Sequence, residues 1–377
     1  MTVPTIARVQ AYPVAYPEPN NAGKRRCVTL VRIDASDGTT GWGEAITGAE
    51  DVSRATRIIV EGDLRTRLLG RDPSDVAAIW QELRDATYWA GNGGIVTFAI
   101  SAIDMALWDL VGHLQGKPVH ELLGGRRRDR VRAASSVIFD TADLDGIGRQ
   151  FADLHAAGYG VLKGGWGHDL SIAFGRDAER DVAIVRTVRE AVGPDAEIMV
   201  DVVAGSGWDA EHAIRMAASF EPYRLFWLED ALTEQDLDGW RRLRAGTTTP
   251  LCTGEKGWHG EHFARLIETG ALDVIMLDPG KAEGITGTKR VIDGAAAAGM
   301  DWNAHSWSSA INTAASLHLA AASDNVRVLE LKPVPSPMQH ELVRDPIEMV
   351  DGWIAVRDAP GLGIDVDERV VARYGLD

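Results

Sequence analysis

A chain of 377 residues with 45% apolar side chains has material for one large core and a smaller attached unit. Its formal charge of −16 argues against a surface built to hold nucleic acid, and any anionic small molecule would need a local cation to hold it. The two cysteines, Cys27 and Cys252, lie far apart in apolar stretches, which predicts buried free thiols and neither a disulfide nor a thiolate metal site.

Residues 1–10 show no signal-peptide pattern and no apolar run reaches membrane-spanning length, so the expectation is a cytoplasmic protein with no membrane partner. The chain opens with three strand patterns, 5–14, 27–33 and 40–45, with Asp37-Gly38 as the turn between the last two. Residues 16–26, rich in Pro, Asn and Gly and ending in Lys24-Arg25-Arg26, predict a mobile flap. Helical periodicity follows over 52–67, 73–83 and 95–114, where Ile100, Ile103, Leu107, Leu110, Val111 and Leu114 share one face. Strands followed by helices make an α+β unit. Leu122-Leu123-Gly124-Gly125 and the basic run after it read as a linker.

From Val131 the rhythm becomes strand–helix alternation, with strand ends near Ser136, Lys163, Asp201, Glu229, Glu255, Asp278, His305 and Glu330. Amphipathic helices over 148–157 and 236–245 are examples of the connections. Gly158, Gly246, Gly270 and Gly299 stand where left-handed helix ends are expected. Eight such units, without a Gly-rich dinucleotide fingerprint after the first strand, favour a closed parallel α/β barrel over an open sheet. The tail from Asp351 carries short strand-like pieces and returns toward the first unit.

Asp201, Glu229 and Glu255 follow three successive apolar strands, spaced 28 and 26 residues apart, near the roughly 31 of an eightfold barrel unit. A single acid after a strand commonly caps a helix or faces solvent. Three at one period converge on the barrel's C-terminal face, and an all-oxygen ligand set with room for water suits Mg²⁺ better than Zn²⁺. On neighbouring strand ends, Asp278 would orient His305 and favour its protonated form, giving an acid/base group suited to neutral pH. Lys163 on the same face either neutralises a carboxylate substrate, acts as a base, or pairs with the acids.

The order Lys163, Asp201, Glu229, Glu255, Asp278, His305, Glu330, together with ALWDLVGHLQGKPVHELLGG at 106–125, VIMLDPGKAEGIT at 274–286, AHSWSSAINTAASLHLAAA at 304–322 and PGLGIDVD at 360–367, resembles the enolase superfamily. Its His-Asp pair resembles the mandelate racemase subgroup. The resemblance implies a modified TIM (β/α)7β barrel over 126–335, capped by an α+β domain formed from 1–125 and the returning segment 336–377. It also implies Mg²⁺ on Asp201, Glu229 and Glu255, His305 as base or acid with Asp278 as its partner, and Glu330 hydrogen-bonded to a substrate carboxylate oxygen. Relatives of this kind are commonly symmetric assemblies, so a homo-oligomer is expected.

Many members carry Lys-x-Lys on the second barrel strand, and here the stretch is Lys163-Gly164-Gly165. With Gly165 in the second position, the face opposite His305 lacks a strong base, which weakens a two-base racemisation. Val203 likewise stands where many relatives have Asn. A single residue can still run a syn elimination, so the expected reaction is Mg²⁺-dependent dehydration of a sugar acid to a 2-keto-3-deoxy acid. The alternatives are an epimerase, racemase or cycloisomerase of a 2-substituted carboxylate, and a non-catalytic metal-binding barrel. Candidate contacts to a small carboxylate substrate are Lys24, Arg25 and Trp89 from the cap, with Trp166, His168 and Trp307 from barrel loops.

Overall fold

The structure, a computed structural model, describes residues 3–91 and 93–376. Alternating burial drives the first sheet, in which β1 (Ile6–Glu18), β2 (Lys24–Ala35) and β3 (Thr40–Ala45) form an antiparallel meander. The segment expected as a flap is mostly strand, because pairing continues through Tyr16↔Arg26 and Pro17↔Arg25 to Glu18↔Lys24. Pro17 is tolerated there because β1 is an edge strand. Ala22 and Gly23, both at positive φ, close the turn. The helix expected over 52–67 starts at α1 (Glu50–Ile59) and widens over Val60–Leu64, where Gly62 leaves helical geometry, before α2 (Arg65–Leu68). Asp75 accepts from the Ala78 N–H at 3.1 Å and starts α3 (Val76–Thr87). The long helix α4 (Gly94–Gln115) is, contrary to expectation, long and apolar enough by length and composition to cross a bilayer. In this fold 78% of its apolar window is buried, packed on β2 and β3. The short α5 (Val119–Leu122) follows it.

Eight parallel strands then close a barrel: β4 (Arg130–Ile138), β5 (Val161–Gly165), β6 (Glu197–Asp201), β7 (Trp227–Glu229), β8 (Leu251–Thr253), β9 (Val274–Leu277), β10 (Asp301–Ala304) and β11 (Val326–Leu331). Pairing of Glu330 with Ala134 joins the last strand to the first. Seven helices connect them, as a (β/α)7β barrel requires. Four in succession start on an aspartate N-cap, Asp143, Asp177, Asp209 and Asp236, each accepting a backbone N–H three residues on. Gly158, Gly270 and Gly299 are left-handed. Gly246 is not; it ends its helix against Ile214, where a Cβ would lie 2.7 Å from a side-chain carbon. Inside the barrel Met199, Trp227, Cys252 and Met276 belong to one apolar cluster, with Met199 and Trp227 one pleat below the acids of β6 and β7. Both cysteines are buried and unpaired.

The segment after β11 meets both units. β12 (Trp353–Ala355) pairs antiparallel with the start of β4. The terminal helix, Glu368–Tyr374, lies by β1, with Leu376 N donating to Pro13 O at 2.8 Å and Glu368 paired to Arg32 at 2.6 Å. Asp109, buried on α4, accepts from Trp42 N and Leu362 N at 2.8 and 2.7 Å and so ties cap helix, cap sheet and tail together.

The hairpin tip is fixed to the barrel by a fully buried ion pair. Lys332, just past β11, donates to Glu18 at 2.6 Å and to Ser308 O at 2.8 Å, and Asn20 bonds Val334 in both directions. Removing one buried partner leaves the other uncompensated, which costs about 3–5 kcal/mol. Lys332→Met is therefore expected to lower unfolding stability in denaturant by about that amount, and Glu18→Gln added to it to recover more than half. Additive losses in the double variant would show that the two side chains are not coupled.

Candidate functional site

Strand alternation turns every second side chain into the barrel, and register sets which of them share a layer. Gly165 pairs with Asp201, and Asp201 with Glu229, so these three positions form one layer at the C-terminal rim. Glu255 joins from the turn two residues beyond β8. One oxygen from each of Asp201, Glu229 and Glu255 lies within 4.8 Å of the others. Trp227 Nε1 fixes Glu229 from below at 2.9 Å. Lys163, one pleat down, donates to Glu229, reaches Glu330 at 2.9 Å and lies 3.2 Å from Asp201.

All these groups are buried or nearly so, which sets their protonation. Burial pushes the Glu229 carboxyl well up, with Lys163 opposing and Asp201 adding. Burial also raises Glu255, against the pull of His305. For Lys163 burial favours the neutral amine, but Glu229, Glu330 and Asp201 together outweigh it and hold the ammonium well above its ordinary range. A set of clustered carboxylates, with Asp201 Oδ1 buried and without a hydrogen-bond partner, matches the hard-oxygen chemistry of Mg²⁺.

His305 follows β10, and its Nδ1 lies 2.7 Å from Asp278 Oδ2, the first residue after β9. Its Nε2 lies 3.5 Å from Glu255. Burial opposes charge on this imidazole, but Glu255 and then Asp278 reverse the balance and hold it above its ordinary 6.5. Asp278 is itself held on its other oxygen by Gly280 N at 2.8 Å and Asn312 Nδ2 at 3.0 Å. Cap and barrel meet behind this pair: Glu44 of β3 accepts from Ser309 N at 3.1 Å and from Asn312 N at 3.3 Å. The helix start that presents Asn312 to Asp278 is therefore anchored by the cap sheet.

A cavity of about 230 Å³ opens over this rim, with Lys163, Asp201, Glu255 and His305 in its lining. Trp166, forced to φ +54 after Gly165, and Trp307 also line it. Trp307 Nε1 donates to Ser136 Oγ at 2.8 Å. The other proposed substrate contacts lie elsewhere. Trp89 is 95% exposed on a single turn of helix, and Arg25 pairs with Glu50 on α1 at 2.7 Å. Lys24 reaches across to the His168 carbonyl at 2.5 Å, so these two join cap to barrel loop outside the cavity lining. Arg26, Asn21 and Ser136 do line it. Arg26 was legible from strand alternation, since Lys24 and Arg26 must face one way and Arg25 the other. Asn312 carries a weaker signal, lying one helical turn after Ser308, whose Oγ accepts from it at 2.8 Å. Lys256, beside Glu255, bonds Asp230 and adds a cation next to the acids.

Residues 147–370 match the family model described as enolase C-terminal domain-like, and residues 11–124 match the mandelate racemase/muconate lactonizing enzyme N-terminal domain. The chain belongs to the enolase superfamily, on its mandelate racemase-like branch. It is 31% identical over 364 residues to D-galactarolactone cycloisomerase of Agrobacterium fabrum, covering 93% of this chain and 92% of that one. D-Gluconate dehydratase of Thermoproteus tenax is 29% identical over 364 residues, covering 96% and 72%. Among solved structures, the 3,6-anhydro-D-galactonate cycloisomerase of Zobellia galactanivorans superposes with a TM-score of 0.89 at 27% identity, over 99% of this chain and all of that one. Family membership accounts for the barrel and the cap together.

Proposed function

We propose that this chain is a Mg²⁺-dependent enzyme that removes the proton beside the carboxylate of a sugar acid and expels the β-oxygen, a dehydratase giving a 2-keto-3-deoxy acid. One observation carries the reading: His305, braced by Asp278, shares a cavity with the acid cluster, and among the described residues the layer opposite has no base. Gly165 occupies that place, and a Cβ there would sit 2.4 Å from Asp201 O and 2.5 Å from Asp201 Cβ.

Asp201, Glu229 and Glu255 would hold Mg²⁺, which supplies charge to offset the second negative charge that develops when a carbon acid beside a carboxylate ionises. Lys163 adds a fixed positive charge on the same floor. Asp278 holds the Nδ1 side of His305, leaving Nε2 to take the α-proton. The C–H pair becomes the C=C bond of the enol, the C–O pair leaves with the β-oxygen, and His305 returns its proton to that oxygen as water departs. Tautomerisation of the enol gives the keto acid. Only one face of the substrate needs a base.

A second reading is favoured by the cycloisomerases among the relatives. When the β-oxygen belongs to a ring, the same proton abstraction opens the ring and no water is lost, so the reaction is an isomerisation. Incubation with Mg²⁺ and a stereochemically complete panel of aldonates, aldarates and their lactones is expected to yield a 2-keto acid from at least one member. Keto acid from free acids supports dehydration; keto acid from lactones alone supports cycloisomerisation. Exchange of the α-proton for deuterium with epimer formation and no keto acid would replace both with epimerisation.

A further inference from the structure

Three consecutive basic residues enter the cap–barrel junction on β2, and two of them are satisfied by protein groups. Lys24 is bound by a carbonyl and Arg25 by Glu50. Arg26 is not. Among the described residues its guanidinium has no hydrogen bond and no carboxylate within ion-pair distance, and its Nε is buried without a partner. It lies over the Trp307 ring at 5.6 Å and lines the cavity whose floor holds Lys163, Asp201, Glu255 and His305. Trp307, stacked beneath it and tied to Ser136, is 8% exposed, so one face of the guanidinium is shielded from water.

A half-buried guanidinium is stabilised most by a planar anion that accepts two parallel N–H bonds. Lys332 is neutralised by Glu18 and Lys163 by the acids of the floor, so neither competes with Arg26 for an added anion. The acids that line the cavity belong to the floor, too far for an ion pair with Arg26. The cavity is thus acidic and metal-ready at the barrel rim and cationic where β2 of the cap meets it.

We infer that Arg26 receives a second carboxylate at the end of the substrate remote from the acid cluster, so that the preferred substrate is a sugar diacid, an aldarate or its monolactone, and not an aldonate. The inference rests on the proposed function for the first carboxylate; the second contact is independent of which β-oxygen leaves. Trp307 sets the guanidinium plane, and the terminal carboxylate docks edge-on against it.

The test uses the full chain with Mg²⁺ and compares six-carbon diacids with monoacids of the same configuration, free and as lactones. Wild type is expected to favour the diacid in kcat/KM. In Arg26→Met, which keeps the stem on Trp307, the diacid-to-monoacid ratio is expected to fall on the order of 10- to 100-fold. Arg26→Lys should recover part of that ratio. Calorimetric binding to His305→Asn, with and without Arg26→Met, separates the two readings. Arg26-dependent preference for the diacid in binding, without turnover of any acid by wild type, keeps this inference and removes the dehydratase reading. Turnover of monoacids as fast as diacids, or equal losses for both in Arg26→Met, overturns the inference and leaves the reaction standing. Absence of both binding and turnover overturns both.

Discussion

His305→Asn is expected to lose kcat by roughly 10²–10⁴-fold, the range for removing a positioned acid/base, while still gaining stability when Mg²⁺ is added. The expectation follows from position: His305 lines the cavity, touches Asp278 and Glu255, and faces Gly165 across the acid layer, with no second imidazole among the described lining residues. Its pH dependence has a definite sign. A base must be neutral to accept the α-proton, so kcat/KM rises with pH as His305 loses its proton; without metal, Glu255 and then Asp278 outweigh burial and hold that proton to higher pH, and Mg²⁺ on Glu255 moves the rise back toward lower pH. Asp278→Asn removes one of the stabilising charges. The limb then moves to lower pH and the plateau falls, because a less basic, less well-oriented imidazole abstracts more slowly. Steady-state rates across pH at saturating Mg²⁺ read both effects. Turnover within tenfold of wild type in His305→Asn would sink the role assigned to it.

The strand-end residues were legible because a parallel barrel makes chemistry periodic. Once a strand ends at Asp201, the next two must end some twenty-five to thirty residues on, and Glu229 and Glu255 stand there. The same logic places His305 beside Asp278 and Gly165 beside Asp201. The cap resisted such reading for a physical reason. Pro17 and Pro19 with Asn20 and Asn21 look like a flap, yet an edge strand tolerates proline, so the hairpin runs on to Glu18 and Lys24 and carries Arg26 to the cavity. Trp89 and Arg25 have the composition of ligand contacts, but their directions depend on packing that no local pattern encodes: one projects into solvent and the other turns to α1. Glu44 is an extreme case. Inside Gly41-Trp42-Gly43-Glu44 it reads as one more strand residue, and only the docked barrel shows it holding the helix start that braces Asp278.

Metal addition should separate wild type from Glu255→Gln in opposite senses. Four carboxylates, Asp201, Glu229, Glu255 and Glu330, crowd a buried floor that holds Lys163 and, at its edge, His305. Without metal this crowding costs stability, since burial and the neighbouring acids hold the Glu255 carboxyl above its ordinary range. A group whose charged form is disfavoured on folding destabilises the fold at neutral pH, where the unfolded chain leaves it ionised at little cost. Neutral Gln at 255 therefore leaves the metal-free protein at least as stable as wild type, despite losing the contact to His305. Mg²⁺ reverses the order. A ligand that binds only the folded state adds about 2.7 kcal/mol at a hundred times its Kd, and wild type should show a midpoint of unfolding that climbs with Mg²⁺ concentration and returns on chelation. Glu255→Gln, short of one ligand, should climb only at far higher Mg²⁺. Melting curves of the two proteins over a Mg²⁺ series decide the matter: parallel climbs at the same concentrations would mean that Glu255 is no ligand, and a wild type indifferent to Mg²⁺ would remove the metal from the mechanism.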